Sequence, residues 1–406
     1  MIKEQTKRDH YLNRIKPYCQ KELIKVLIGQ RRVGKSYLLE QTKDLLTDEF
    51  GVSENSIIYI NKELYEFDFI NNYKDLLEYV NQQNLSNESM ISLFIDEVQE
   101  IDQFEKALCD LQAQGNFDIY CSGSNSAMLS SDLATLLSGR YIEIDVYPLM
   151  YSEFIEFHNL EPNDDSLLQY YKYGGLPYLI HLNFEDEIIY GYLKSVYNTV
   201  ILKDVVERFS VRNIDFLHRL IRFLADNTGS ILSAKKISDY LKSQKINISV
   251  NVVLNYLSHL VSANFISPVK RMNIQGKKIF EIGEKYFFTD LGLRHTVHAY
   301  NHAQDINKIL ENAVYNHLKA LGYSITVGQQ GDKEIDFVCE KNGITKYVQV
   351  AYIISSEKVA QREFGNLLAI KDNYEKYVVS TDSFIGGNWK GINHLHISNF
   401  LLNTDF

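Results

Sequence analysis

Short apolar runs alternate with helix-like stretches through the first third of the chain. The runs lie at 24–28, 57–60, 91–95 and 117–121, and polar residues bound each of them. Runs of this kind are typical of strands that are buried on both faces of a parallel sheet, and the stretches between them predict crossover helices. The pattern therefore predicts an α/β domain whose parallel sheet carries helices on both faces.

The first apolar run leads directly into the segment GQRRVGKS at 29–36, which fits the pattern G-x-x-x-x-G-K-S, and Tyr37 then opens a predicted helix. A strand before this pattern and a helix after it are the context of a phosphate-binding P-loop. In such a loop the backbone N–H groups surround phosphate oxygens, Lys35 reaches the β- and γ-phosphates, and the Ser36 hydroxyl binds Mg²⁺. The predicted nucleotide-binding residues are Gly29, Gln30, Arg31, Arg32, Val33, Gly34, Lys35, Ser36 and Tyr37.

Two adjacent carboxylates, Asp96 and Glu97, follow the apolar run at 91–95. Ligands of parallel sheets bind at the carboxyl ends of the strands, so we expect both acids to face the P-loop. Asp96 is predicted to hold Mg²⁺ together with Ser36, directly or through water. Glu97, one position further out, is predicted to orient and deprotonate an attacking water.

Two further polar residues follow later strands. Asn125 lies in a short Ser/Gly segment after the run at 117–121, where it either hydrogen-bonds the γ-phosphate or belongs to an ordinary turn. Arg140 precedes an alternating stretch that predicts a strand, and it is either a γ-phosphate sensor, an arginine finger or a surface arginine. The candidate catalytic residues are Lys35, Glu97, Asn125 and Arg140.

Several longer stretches together resemble one protein family. They are GQRRVGKS (29–36), LFIDEVQ (93–99), SGSNSAMLSSDLATLLSGRYIEIDVYPLMYSEF (122–154), YYKYGGLPYLI (170–180) and LKSVYNTVILKDVVERF (193–209). This order resembles the prokaryotic ATPases with an AAA-type N-terminal domain and a C-terminal domain of unknown function. The resemblance implies ATP and Mg²⁺ as cofactors, and a helical lid over 151–212. Within that lid, Arg208 is either a nucleotide sensor or the i,i+4 partner of Asp204.

Residues 213–290 predict three helices followed by two strands joined by a short turn, which is the order of a winged helix. The segment holds eleven Lys and Arg against six Asp and Glu, in a chain of net charge −10. Four of these basic residues, Lys270, Arg271, Lys277 and Lys278, lie on the predicted ribbon, where they could contact DNA phosphates. The helix expected to read bases has no arginine, so DNA contact and a plain packing module both remain open.

Residues 305–406 predict a helix, three strands, a second helix and a further strand. This region resembles the PD-(D/E)xK nuclease fold, in which a helix acid, a strand Asp and an acid-or-Gln-x-Lys pattern meet. The matching positions are Glu311, Asp336, Gln349 and, in the place of the lysine, Ala351. The resemblance implies Mg²⁺ ligands at the two acids, but alanine cannot stabilise charge on a scissile phosphate. Unless Lys346 or Lys358 substitutes, we expect a nuclease-like or purely structural domain without strong cleavage.

Composition adds little that is specific. The four cysteines are scattered without metal-ligand spacing, which predicts free thiols in a reducing compartment. The start of the chain does not resemble a signal peptide and no run is apolar and long enough to span a bilayer, so we expect a cytoplasmic protein without a membrane partner. The predicted domains are a P-loop ATPase domain (1–150), a helical lid (151–212), a winged helix (213–295) and a restriction-endonuclease-like α/β domain (305–406).

The leading hypothesis is an Mg²⁺-dependent ATPase of AAA-like type whose hydrolysis moves the winged-helix and nuclease-like domains. An alternative is a DNA-binding regulator that is gated by nucleotide and turns over little, with DNA held by the winged helix. An ATP-driven nuclease is disfavoured by Ala351, and a small-molecule kinase is disfavoured by the adjacent acids Asp96 and Glu97, which suit water as the acceptor. A second copy of the chain is a further candidate partner.

Overall fold

The computed structural model describes residues 6–83, 90–124, 137, 139–354, 357–382 and 387–406. The chain divides into two compact units. The first is Met1–Val146 with Ser262–Asn264, and the second is Tyr147–Val261 with Phe265–Phe406.

The first unit is built on a five-stranded sheet. Its strands are β1 (Ile24–Ile28), β2 (Ile57–Asn61), β3 (Ile91–Asp96), β4 (Phe117–Gly123) and β5 (Tyr141–Asp145), and its described helices of regular α type are α1 (Asp9–Ile15), α2 (Lys35–Phe50), α3 (Tyr73–Gln82) and α4 (Phe104–Gln114). The strand order is β2-β3-β4-β1-β5, and every neighbouring pair is parallel. The parallel α/β sheet predicted from the apolar runs is therefore confirmed.

Burial along the strands explains why the runs are continuous rather than alternating. All residues of β1, β3 and β4 are buried, the pattern expected for parallel strands that are covered on both faces. The edge strand β2 instead alternates between buried and half-buried residues. Since β4 lies between β1 and β3, the carboxyl ends of these three strands meet at one edge of the sheet.

The second unit contains the remaining elements. Its described α-helices are α5 (Tyr151–His158), α6 (Asp164–Tyr173), α7 (Asp186–Thr199), α8 (Ile214–Asp226), α9 (Ala234–Ser243), α10 (Val250–Ser262), α11 (Leu291–Val297), α12 (His302–Ala320), α13 (Glu357–Leu368) and α14 (Ile397–Leu402). Its strands are β6 (Ile266–Asn273), β7 (Lys278–Phe288), β8 (Ser324–Gln330), β9 (Lys333–Lys341), β10 (Ile344–Ala351), β11 (Glu375–Ser380), β12 (Gly387–Trp389) and β13 (Ile392–His396). A π-helix over Val200–Glu207 continues α7.

The hairpin β6–β7 is not a free ribbon. The three helices α8, α9 and α10 do precede a hairpin, as the sequence predicts, but β6 pairs in parallel with β8. The hairpin thereby completes an eight-stranded sheet of order β12-β13-β11-β10-β9-β8-β6-β7. The end of β7 is consequently buried over Lys285–Phe288, and Lys285 is only 2% exposed.

The segment Gly174-Gly175, part of the family-like stretch 170–180, has a structural role. Asp290 caps α11 by accepting the N–H of Leu293 at 2.9 Å, and its other carboxylate oxygen accepts the N–H of Gly175 at 2.8 Å. A Cβ on Gly175 would lie 2.4 Å from the carbonyl oxygen of Leu149, and Gly174 has φ +77° with no room for a side chain. Burial raises the pKa of Asp290 to about 6, although the backbone hydrogen bonds oppose that shift. These contacts explain the glycine pair without a ligand.

Candidate functional site

The P-loop connects the carboxyl end of β1 to α2. Gly34 ends the loop at φ +94°, a conformation that favours glycine, and α2 begins at the next residue. A Cβ on Gly29 would lie 2.1 Å from the carbonyl oxygen of Val146, so only glycine fits there. Lys35 is 4% exposed, and its ammonium donates to the carbonyl oxygens of Gly29 (3.1 Å) and Gln30 (3.2 Å). The lysine is thus folded back into the loop that the sequence motif predicts.

Asp96 and Glu97 lie at the end of β3, across β4 from the P-loop. The hydroxyl of Ser122, on β4, donates to Asp96 Oδ1 and accepts the backbone N–H of Glu97 at 3.0 Å. The other oxygen, Asp96 Oδ2, is buried without a hydrogen-bond partner among the described residues. A buried carboxylate oxygen that is left unpaired suits a metal ion or its water, since burial without a partner is costly. The residues present therefore fit the predicted Mg²⁺ role of Asp96.

Glu97 meets the P-loop directly. Its Oε1 lies 3.6 Å from the Lys35 ammonium, and its Oε2 lies 3.9 Å from the guanidinium of Arg31 and accepts the side-chain amide of Gln99. Burial would raise the pKa of Glu97, but Lys35 and Arg31, with hydrogen bonds from Gln99 and Ser124, hold it below its usual range. The carboxylate is therefore ionised at neutral pH, as a general base must be.

Three of these contacts were missed by reasoning from the sequence. The apolar run ends at Cys121, yet Ser122 also belongs to β4, and its hydroxyl contacts the carboxylate of Asp96 and the backbone N–H of Glu97. Gln99 lies within the stretch LFIDEVQ, and its separation of two residues from Glu97 is the one feature of the sequence that could have indicated this contact. Arg31 also lies 3.8 Å from Glu63 and 4.0 Å from Glu100, so this P-loop arginine is surrounded by carboxylates.

Arg8, at the start of α1, contacts the backbone of the P-loop. Arg8 is 4% exposed, lies 4.4 Å above the ring of Tyr11 and donates to the carbonyl oxygen of Val33 at 3.0 Å. Tyr11 and Leu12 are buried as well, so one face of α1 packs into the first unit. Its clearest role is to support the backbone of the loop.

The remaining predicted residues are less closely grouped. Ser36 is half-buried in the first turn of α2, Arg32 is exposed at φ +70°, and Tyr37 is 54% exposed. Asn125 lies outside the described residues.

Arg140 is exposed and stands directly before β5, beside Ile24 at the start of β1. At about 3.3 Å per residue, the length of β1 separates it from the P-loop by roughly 13 Å or more. This position does not favour a role in sensing the γ-phosphate within one chain, because Arg140 lies at the amino ends of the strands and the P-loop follows the carboxyl end of β1. The arginine-finger role, acting on another copy of the chain, stays a prediction.

In the second unit, the positions that resemble the nuclease pattern do converge. Glu311 on α12 and Asp336 on β9 both contact the ammonium of Lys285, at 2.5 and 3.4 Å. The amide of Gln349 accepts the N–H of Asp336 at 3.3 Å and donates to Glu363 at 3.3 Å. Because a lysine occupies the space between the acids, the Mg²⁺ that the resemblance implies there does not fit the residues present.

The two lysines considered as substitutes for the one missing at Ala351 do not join this cluster. Lys346 pairs with Glu375 at 3.2 Å, and the side chain of Lys358 lies outside what the structure describes. Among the described residues as they are arranged here, with Lys285 between these acids, no group of three or more His, Cys, Asp or Glu is placed to hold a metal ion. The other predicted pair, Asp204 and Arg208, is present as an i,i+4 ion pair at 3.8 Å.

No helix in the described ranges combines the length and the apolar character that crossing a bilayer requires.

Comparisons with known proteins find an AAA domain in the same part of the chain. Residues 21–155 match the model of an AAA domain, and residues 164–304 match that of a domain of unknown function, DUF8612. The fold is similar to that of the Walker-type ATPase PABY2304 of Pyrococcus abyssi, with a TM-score of 0.52 over 73% of this chain and 97% of that chain, at 16% identity.

Two relatives are similar along most of the sequence. The uncharacterised protein MJ1544 of Methanocaldococcus jannaschii is 29% identical over 372 residues, covering 86% of this chain and 79% of the relative. An uncharacterised protein of Haemophilus influenzae is 34% identical over 406 residues, covering 99% of this chain and 100% of the relative. The chain therefore belongs to the family of this Haemophilus influenzae protein and carries an AAA-type ATPase domain at its N-terminus.

Proposed function

We propose that this protein binds ATP with Mg²⁺ at the P-loop and hydrolyses it to ADP and phosphate. The observation that carries the proposal is the meeting of Glu97 with Lys35, at 3.6 Å, beside the unpaired buried oxygen of Asp96. A phosphate-binding lysine, a metal-holding carboxylate and an ionised base within one small region are the parts that attack of water on a γ-phosphate requires.

Each residue has a distinct role in this proposal. The amides of the loop and the Lys35 ammonium stabilise charge on the β- and γ-phosphates. Ser36 and Asp96 would hold Mg²⁺, which supplies charge neutralisation between the phosphates. Glu97 orients the attacking water and accepts its proton, while Ser122 keeps both acids in place through its hydroxyl.

Replacing Lys35 by alanine tests the nucleotide site. We expect ATP affinity in the presence of Mg²⁺ to fall by at least about 100-fold, or about 2.7 kcal/mol, because the ammonium that would bind the phosphates is lost. Isothermal titration calorimetry measures the change. The control is Lys74→Ala, which removes the same charge from the exposed surface of α3 and should bind ATP normally. Unchanged affinity in Lys35→Ala, or no heat with the unaltered protein, would contradict the proposal.

The alternative is a nucleotide-gated regulator that binds DNA through the second unit. It is favoured by Lys270, Lys277 and Lys278, which are exposed on the hairpin β6–β7. Arg271 is less available for DNA, because its side chain contacts Gln329 and lies 5.1 Å from the ring of Phe280.

For the ATPase, we propose that hydrolysis of ATP is coupled to movement of the second unit.

An electrophoretic shift assay with duplex DNA separates the two functions. If the hairpin lysines bind phosphates, the apparent affinity should fall steeply as salt rises and should differ with and without ATP. Triple replacement of Lys270, Lys277 and Lys278 by alanine should then weaken binding at every salt concentration. The absence of any shift at low salt would remove DNA from the account and leave the ATPase proposal untouched.

A further inference from the structure

The buried cation Lys285 lies at the centre of three carboxylates in the second unit. Its Nζ is 2.5 Å from Glu311 Oε1, 2.8 Å from Glu334 Oε1 and 3.4 Å from Asp336 Oδ1. The lysine comes from β7, whereas the acids come from α12 and β9. An ammonium has three donors, so three carboxylates can fully satisfy it.

The charges in this cluster depend strongly on one another. Burial alone would lower the pKa of Lys285, but the coulombic pull of Glu311, Asp336 and Glu334 raises it above the ordinary lysine value. Burial raises the pKa of Glu311, with Lys285 opposing and Asp336 reinforcing the shift. Removing the ammonium would leave buried carboxylates without a counter-charge, which is among the most costly changes in a protein interior.

The carboxylates that the nuclease resemblance assigns to a metal are already occupied. Asp336 uses one oxygen on Lys285 and accepts the backbone N–H of Val350 with the other, at 2.9 Å. The other oxygen of Glu311, Oε2, lies against Gly229, where a Cβ would be only 2.9 Å away, so there is little room around that oxygen. A divalent cation bound to these oxygens would lie close to the Lys285 ammonium, and the two positive charges would repel each other strongly in this buried setting.

We propose that Lys285 is a tethered cation that takes the place of a divalent metal ion between Glu311, Glu334 and Asp336. The hairpin β6–β7 delivers this lysine by joining the eight-stranded sheet, so that hairpin docking, rather than metal binding, neutralises the carboxylates. The cluster binds no Mg²⁺ or Mn²⁺ while the ammonium is present, and it exposes a latent cation site when the ammonium is removed. The proposal is independent of ATP binding in the first unit.

Mn²⁺ is the probe for this proposal, titrated without nucleotide and followed by calorimetry and by the thermal unfolding midpoint. All proteins carry Asp96→Asn, which removes the other expected metal ligand. With Lys285 intact, we expect that any effect of Mn²⁺ on the thermal unfolding midpoint is the same with Asp336 and with Asp336→Asn. Lys285→Ala should gain one Mn²⁺ site and a midpoint that rises with Mn²⁺ concentration, because binding to the folded state alone stabilises it. The gain should disappear in Lys285→Ala/Asp336→Asn, and Lys333→Ala, an exposed change on β9, should behave as the unaltered protein.

Three outcomes would overturn the proposal. One is an Mn²⁺ site in the protein with Lys285 intact that Asp336→Asn removes, because lysine and metal would then bind together. Another is Mn²⁺-dependent plasmid nicking by the full-length protein that either Lys285→Ala or Asp336→Asn abolishes, which would make Lys285 a catalytic lysine. The third is a folded Lys285→Ala protein that gains no Mn²⁺ site. If Lys285→Ala does not fold, the comparison of the intact protein with Asp336→Asn still decides between a tethered cation and a metal site.

Discussion

Replacing Glu97 by glutamine should leave ATP binding intact and lower the rate of hydrolysis by at least about 100-fold, the usual contribution of a general base. The amide keeps the shape of the side chain but cannot accept a proton from water. Because Lys35 and Arg31 lose an ionised neighbour at 3.6 and 3.9 Å, the affinity for ATP should stay the same or increase. Steady-state phosphate release measures turnover, and calorimetry measures binding on the same preparations.

Glu100→Gln is the matched control for this variant. Glu100 lies three residues away, has a half-exposed side chain and also approaches Arg31, at 4.0 Å. It should therefore retain most of the activity. Normal turnover in Glu97→Gln would exclude Glu97 as the base, whereas loss of both binding and turnover would mean that Glu97 is needed to shape the loop.

The second large effect concerns stability, at the buried ion pair of Lys25 and Asp118. Both side chains are 0% exposed, and Tyr120 is part of the same network. The Lys25 ammonium also donates to the carbonyl oxygens of Leu23 (2.7 Å) and Lys21 (3.1 Å). Asp118→Asn should lower the free energy of unfolding of the first unit by about 3–5 kcal/mol, because it leaves a buried ammonium without its counter-charge.

A double-mutant cycle tests this explanation by urea unfolding. Lys25→Met and Asp118→Asn should each be strongly destabilising, whereas the double variant should recover a large part of the loss because no buried charge remains. The control is Glu49→Gln, which breaks the surface pair of Lys16 and Glu49, each about half exposed. That change should cost less than about 1 kcal/mol. Additive losses in the buried pair would show that the two charges act independently.

The local parts of the nucleotide site were predictable because their determinants are adjacent in the sequence. A glycine-rich loop between a strand and a helix fixes the position of Lys35 and Ser36 within a few residues. The end of a buried strand likewise predicts where Asp96 and Glu97 lie. The contact of Glu97 with Lys35 follows from the general rule that parallel strands carry ligands at their carboxyl ends.

Other features depended on strand order and packing, which no local pattern specifies. The hydroxyl of Ser122 reaches both acids only because β4 lies between β1 and β3. Arg140 lies at the amino ends of the strands, away from the P-loop, because β5 runs parallel to β1 and begins opposite its first residue, Ile24. Of the roles open to Arg140, sensing the γ-phosphate within its own chain would require a position near the P-loop, whereas this strand order places it about the length of β1 away.

The apolar strands, the phosphate-binding loop and the two acids follow from the order of the residues, since each depends on close neighbours in the chain and on regular periodicity. The position of Lys285 does not: the hairpin that carries it joins the C-terminal sheet and places its ammonium among carboxylates that lie 26 to 51 residues further along the chain. The interaction energy of a buried charge depends on its distance from other charges in space and on how much water it loses. The separation of residues along the chain gives neither quantity.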